Sequence, residues 1–288
     1  MPYGLMKIPA DISIFTSAAL QTGNGGWVTM WCITVAVYAG FKLIMWRNAI
    51  RGGVRATGLR SFIFLVLWPG MDARKFLDAT IKPEKPAPGD WLWGAANIAL
   101  GALLLWGVAR TAGNGLGAGW IGMTGLIFLL HFGVFKLLAH FWQQNGICAQ
   151  PLMRMPIAAK SVSDFWSKRW NMAFRDLSFG LLFGGFRKHV GVRAAMMLTF
   201  FVSGLIHDLV ISVPAGGGYG LPTAYFTFQG AGILLQHSHV GLRGNWSGRL
   251  FAWAVIAGPA FALFPPPFVL RVMVPFMQAI GALPGHPL

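Results

Sequence analysis

Long apolar runs alternate along the chain with short basic or glycine-rich breaks. The first run, Trp27 to Trp46, is about 20 residues long with a Trp at each end, which matches a hydrocarbon core of about 30 Å with interfacial anchors. Trp91 to Ala109 and Trp120 to Phe141 repeat that pattern. Ala194 to Pro214, Thr223 to Val240 and a shorter Leu250 to Phe264 follow. Pro265-Pro266-Pro267 then interrupts the chain before a last apolar stretch, Phe268 to Ile280. Residues 61–71 are apolar but end at Pro69-Gly70. As a helix they would rise about 16 Å, half of what a crossing needs, and they are expected to be re-entrant or interfacial. The pattern predicts an all-α, polytopic membrane helix bundle of about six to eight spans, with re-entrant and interfacial amphipathic helices, in one membrane-embedded domain over residues 1–288.

Composition agrees with the pattern. Of 288 residues, 55 % are hydrophobic and 11 % charged, with a mean hydropathy of +0.58. Roughly 25 % charged residues is usual for a water-facing surface, so a soluble domain is excluded, and the apolar content excludes disorder. The formal charge of +15, from 23 basic against 8 acidic residues, would suit nucleic acid in a soluble protein. Here it follows from topology, because Lys and Arg collect in cytoplasmic loops. With the N-terminus outside and residues 61–71 not crossing, all basic residues fall inside except Lys7, Arg110, Lys136 and Arg271, with Lys42 snorkelling from the end of the first span. Were residues 61–71 to cross, the basic loops on either side would lie on opposite faces. No signal peptide is expected, since Asp11 breaks the only early apolar stretch. Cys32 and Cys148 give neither a disulfide framework nor metal spacing.

An ionisable group inside a span points to function, because burying it is costly unless it is paired or hydrated. In the fourth span Ser203 and His207 are four residues apart and share a helical face, with Gly204 beside them. A buried imidazole stays neutral and can act as a general base. The structural alternative is a His bonded to a neighbouring helix, with Ser203 and Gly204 there for close packing. A second constellation precedes it. From Ser161 to Asn171, a helix capped by Ser163 or Asp164 would set Val162, Trp166, Trp170, Ala173 and Leu177 on one apolar stripe. Asp164, Ser167, Lys168, Asn171, Arg175 and Ser178 would face the other way, as in an amphipathic helix at the cytoplasmic interface. His131, His140 and the pair His237 and His239 are too few and too widely spaced for a metal site. The glycine runs 113–115 and 216–218 read as turns.

The run Phe165-Trp166-Ser167-Lys168-Arg169-Trp170-Asn171, followed by Ser203-Gly204-Leu205-Ile206-His207-Asp208, resembles the membrane-bound O-acyltransferase family. It is most similar to the wax synthase branch, whose members show FWxRRWN and then SGxxHE in that order. Trp68-Pro69-Gly70-Met71-Asp72 is similar to a short upstream motif of the same branch. Lys168 stands where Arg is common and Asp208 where Glu is usual; both exchanges keep the charge. The resemblance implies a bundle of membrane helices around a chamber, with His207 as the catalytic histidine and Asn171 as its polar partner. It implies acyl-CoA-dependent esterification of a lipid alcohol, with acyl-CoA as co-substrate and no metal or other cofactor. Trp166, Lys168, Arg169, Trp170, Arg175, Ser203 and Asp208 are the candidate substrate-binding residues, the cations serving the phosphates of coenzyme A. The partners expected are acyl-CoA, a lipid alcohol and membrane lipids, and no nucleic acid. The expected location is the inner membrane if the source is bacterial. The competing reading is a transporter in which His207, Asp208 and Lys136 form a proton or ion pathway.

Overall fold

The computed structural model describes residues 25–239, 242 and 246–285. Lys7, Asp11, Arg243 and Val240, the end of the expected fifth span, lie outside the described residues. The structure is 78 % helical, with no strand among the described residues. In chain order its main helices are α1 (Gly25–Arg51), α2 (Gly58–Leu67), α3 (Ala73–Leu77), α4 (Pro88–Thr111), α5 (Leu116–Gln144) and α6 (Val162–Asp164 continued by Phe165–Arg169). They are followed by α7 (Met172–Ala215), which is two helical arms, 172–190 and 192–215, broken at Gly191 (φ 77°, ψ 175°), and by α8 (Leu221–Ser238), α9 (Trp246–Leu263) and α10 (Pro266–Ala279).

Among the described residues, α1, α4, α5 and α7 are long and apolar enough to cross a membrane, and α9 with α10 makes a fifth candidate bent by 57°. That is fewer than the six to eight expected. The expected fifth span is present as the 18-residue α8, but Gln229, Gln236 and Tyr225 make it more polar, and all three are buried against neighbouring helices. The expected sixth span and last apolar stretch are the two arms of the bent pair, broken at Pro265.

Apolar side chains face outwards as well as inwards. On α7, Phe201, Leu205 and Leu209 are exposed while Ser203, Gly204 and Ile211 are buried, so the helix turns its small and polar face to the bundle. Such an outer surface suits lipid, not water. The α4 and α5 helices cross closely because glycine meets glycine: a Cβ on Gly125 would stand 2.9 Å from both the Gly101 carbonyl and the Leu105 amide.

The α2 segment does not cross. Arg74, beyond it, donates to the carbonyl of Gly52, before it, at 3.3 Å, so the two flanking basic loops share one face. Arg60 reaches the Gly146 carbonyl beyond α5 at 3.3 Å, on that same face. The extended stretch after α2 has carbonyls with no helical partner. They are met from one face of α1, where Tyr38 donates to Trp68 O and Lys42 donates to Gly70 O. Non-helical backbone at membrane depth is tolerated only when protein satisfies it in this way. Lys42 therefore does not snorkel: it is 1 % exposed, with its ammonium 3.5 Å from the centre of the Phe64 ring.

At the opposite end, α7 closes with Gly216 in the left-handed conformation, and Arg271 caps its last carbonyls, those of Ala215 and Gly216. Arg110, at the end of α4, donates to the carbonyls of Gly281 and Ala282. Arg110 and Arg271, two of the four cations that the sequence leaves off the basic face, thus cap backbone.

If α2 is re-entrant, single cysteines at Arg55→Cys and Lys82→Cys, in a Cys32→Ser, Cys148→Ala background, will react with a membrane-impermeant maleimide from the same side of sealed vesicles. Labelling from opposite sides would show that α2 crosses.

Candidate active site

The expected continuous amphipathic helix from 162 to 177 is two helices. Ser161, not Ser163 or Asp164, caps α6, its hydroxyl accepting from Asp164 N at 2.9 Å. The helix stops at Trp170, and Asn171 takes the left-handed conformation at φ 44° and ψ 67°. Among residues with a Cβ, Asn tolerates that region best, because its short polar side chain bonds locally. Here the Asn171 Oδ1 accepts from Phe174 N at 3.2 Å, capping α7, and its Nδ2 has no partner among the described residues. The loop before α6 clamps the turn from outside, with Arg154 N on Arg169 O and Met172 N on Leu152 O, each at 2.9 Å.

The turn sends the predicted apolar stripe into two cores. Val162 and Trp166 pack with α8 and α9, whereas Ala173 and Leu177 pack with Phe64, Trp68 and Phe76. No single helix could serve both.

His207 lies on the buried-facing side of α7 between two aromatic rings. Phe226 of α8 has its centroid 4.2 Å from the imidazole, and Phe174 meets it edge-on at 5.5 Å. The ring donates through Nδ1–H to the Ser203 carbonyl at 2.7 Å. A carbonyl can only accept, so Nδ1 carries the proton and the neutral ring keeps its lone pair on Nε2.

The two constellations therefore meet through shared neighbours. Asn171 caps the turn that holds Phe174, and Phe174 touches His207. From the other side, Phe226 also contacts Trp166 at 5.5 Å. Trp166 in turn donates to Gln229 at 3.2 Å, and Gln229 to the Val255 carbonyl at 2.8 Å. Phe174, Phe226 and Gln229 were not foreseen. Gln229, a fully buried amide in a hydrophobic helix, is the one that the rule for intramembrane polar residues could have found.

Each remaining candidate has a definite place. Ser203 is 3 % exposed, its hydroxyl bonded to Thr199 O at 2.7 Å and its carbonyl to His207. Asp208 faces the start of α8, accepting from Gly220 N at 2.9 Å, Thr223 N at 3.1 Å, the Thr223 hydroxyl and Ser212 Oγ at 2.7 Å. Gly204 completes this contact, since a Cβ there would stand 2.5 Å from Thr223 Cα. Arg169 is paired with Asp164 at 2.7 Å and also donates to Met155 O. Desolvation raises the Asp164 pKa, but Arg169 and the Lys160 N–H outweigh it and hold the carboxyl below its usual range. Trp170 stacks on Phe165, Arg175 pairs with Asp176, and Lys168 is exposed with no hydrogen bond or ion pair among the described residues. Lys136 pairs with Asp90 at 3.8 Å. Neither Lys136 nor Asp208 is bonded to His207 among the described residues; Asp208 accepts from the start of α8 instead.

Residues 149–228 match a model of the membrane bound O-acyl transferase family. The matched segment starts at the loop that clamps Asn171 and ends just past Phe226, so it takes in the whole aromatic cluster around His207. This family match supports a membrane acyltransferase that acts on lipid substrates and, with the apolar helices, an integral membrane protein. No curated protein matches the chain at a significant level.

Gly204→Val forces α7 and α8 apart and should destabilise by about 1–3 kcal/mol, as overpacked contacts do. Asp208→Ala removes the acceptor for the first turn of α8 and should cost a similar amount. Leu205→Ala, on the lipid-facing side, should move the apparent melting temperature in detergent far less than either. Equal losses for all three would contradict the α7–α8 clamp.

Proposed function

We propose that the chain is an acyl-CoA-dependent O-acyltransferase that esterifies a lipid alcohol, a wax ester synthase-like reaction, as a multi-pass protein of the inner membrane in a bacterial host. The observation that carries this reading is the tautomer of His207. With Nδ1–H on the Ser203 carbonyl, Nε2 is the free base, held between Phe174 and Phe226, the latter backed by Trp166.

In the proposed reaction the alcohol O–H gives its proton to His207 Nε2 as its oxygen attacks the thioester carbonyl. The tetrahedral oxyanion accepts a hydrogen bond from Asn171 Nδ2, the atom that capping leaves unused. Collapse breaks the C–S bond, and the imidazolium returns its proton to the leaving thiolate, yielding ester and coenzyme A. Ser203 takes no covalent part, because its hydroxyl is committed to Thr199 O. Of the candidate cations, Lys168 is free to hold a phosphate of coenzyme A, whereas Arg169 and Arg175 act from within ion pairs.

The direct test is ester formation from radiolabelled palmitoyl-CoA with long-chain alcohol, diacylglycerol or sterol. His207→Gln should lower the rate by about 10²- to 10⁴-fold, the usual contribution of a general base. Activity that survives in this variant removes His207 from the chemistry. A wild type inactive on every acceptor, though folded, sinks the substrate class.

Asn171 allows its backbone and side-chain roles to be separated. Asn171→Gly keeps the left-handed turn and, as a cap, should change stability by only a few tenths of a kcal/mol. Asn171→Ala strains the turn as well and should cost about 1–2 kcal/mol. If Nδ2 serves the oxyanion, both variants lose about 10²- to 10³-fold in kcat. A fully active Asn171→Gly would show that the residue only shapes the turn.

A further inference from the structure

The two basic segments that flank α2 border an open, shallow cleft that the reaction does not use. It has a volume of about 570 Å³ and is lined by Gly52, Gly53, Arg55, Arg74, Asp78 and Thr80. A second cleft of about 450 Å³ adjoins it, sharing Val54 and Arg55, and is otherwise lined by Ile50, Ala56 and Thr57. Arg55 stands between the two, exposed, with no hydrogen bond or ion pair among the described residues. Arg74 is held in place by one bond to the Gly52 carbonyl. Asp78 is oriented by Thr80, whose hydroxyl and amide donate to its Oδ1 at 2.7 and 2.9 Å, leaving Oδ2 for another donor. Those two bonds, aided by Arg60 and Arg74, keep Asp78 ionised below the usual carboxylate range.

The cleft sits between the end of α1 and the start of α2, whose Leu59 and Phe62 are exposed, and on the topology inferred above that is the level of the lipid headgroups. A hollow that sets two guanidiniums and one carboxylate beside the apolar side chains of Ile50 and Val54 complements an amphiphile. Its phosphate would meet the arginines, its head donor the carboxylate, and its glycerol and chain the Ile50–Val54 side.

We propose that this cleft binds a glycerophospholipid, with the phosphate on Arg55 and Arg74 and a headgroup hydroxyl or ammonium on Asp78. The site is independent of the acyl-transfer reading. The same phosphate chemistry is present in coenzyme A, which lacks the adjoining acyl and glycerol parts when offered free.

The test is native mass spectrometry of the full chain exchanged into nanodiscs of phosphatidylcholine containing phosphatidylglycerol or phosphatidylethanolamine, with free coenzyme A as a separate probe. Arg55→Ser alone and Arg55→Ser with Arg74→Ser are compared with Lys82→Ser with Lys85→Ser, which removes as much charge as the double variant from the same face outside the cleft. The amount of phospholipid retained should fall about tenfold in Arg55→Ser, the loss of one charge-assisted bond, and further in the double variant, and should not fall in the lysine pair. Asp78→Asn should reduce the preference over phosphatidylcholine, whose head has no donor. Equal losses in cleft and lysine variants would reduce the effect to surface charge. Unchanged retention would overturn the proposal, as would a cleft variant that loses coenzyme A while keeping lipid. Since no readout is catalytic, failure here leaves the acyltransferase reading intact, and an inactive wild type leaves this proposal intact.

Discussion

Between Arg169 and Met172 the chain leaves one helix and enters another through two residues, an extended Trp170 and a left-handed Asn171, whose backbone fixes the angle between them. An uninterrupted helix would carry Val162 and Leu177 on one stripe towards one neighbour. The turn sends α6 under α8 and α9 and starts α7 against the α2–α3 cluster instead. Asn171 is suited to both demands of the position. It accepts the left-handed conformation at low cost and supplies the acceptor that α7 needs at its first turn. With Oδ1 engaged in the cap, the amide nitrogen is the side chain's free donor for a ligand.

The second constraint is the contact of α7 with α8. Ser203-Gly204-Leu205-Ile206-His207-Asp208 divides its labour along one helical turn. The Ser203 carbonyl orients the imidazole, Gly204 admits the α8 backbone, Leu205 faces lipid, and Asp208 gathers the donors at the start of α8. That brings Phe226 onto the imidazole, and through Phe226 the indole of Trp166. The histidine is thus held by backbone and by aromatic rings, with no carboxylate bonded to it among the described residues. In the proposed chemistry, Asp208 therefore acts on His207 through the geometry of α8.

The apolar pattern made the helical class, the main membrane helices and the short α2 legible, because hydrophobic length is read directly from residue type. Charge placed the two basic loops on one face, which the Arg74–Gly52 bond bears out. The turn at Asn171 was hidden because 3.6-residue periodicity runs on unbroken through a residue that can adopt two conformations. Lys42 misled for a related reason: a lysine near a span end usually snorkels, and only the fold shows that Gly70 and Phe64 enclose it. The residues around His207 came from two segments about 35 residues apart, which spacing alone could not join. Family resemblance joined them, whereas Phe174 and Phe226, ordinary apolar residues in ordinary helices, became visible only once the helices were packed.

The account stands most directly on one structure: the protein bound to a non-transferable thioether analogue of acyl-CoA together with a long-chain alcohol. The analogue's reacting carbon should lie between the two constellations. The alcohol oxygen should be within about 3 Å of His207 Nε2, and Asn171 Nδ2 should face the position of the thioester oxygen. An analogue seated elsewhere, or one that meets His207 while Asn171 points away, would contradict the assignment of these two residues to a single active site.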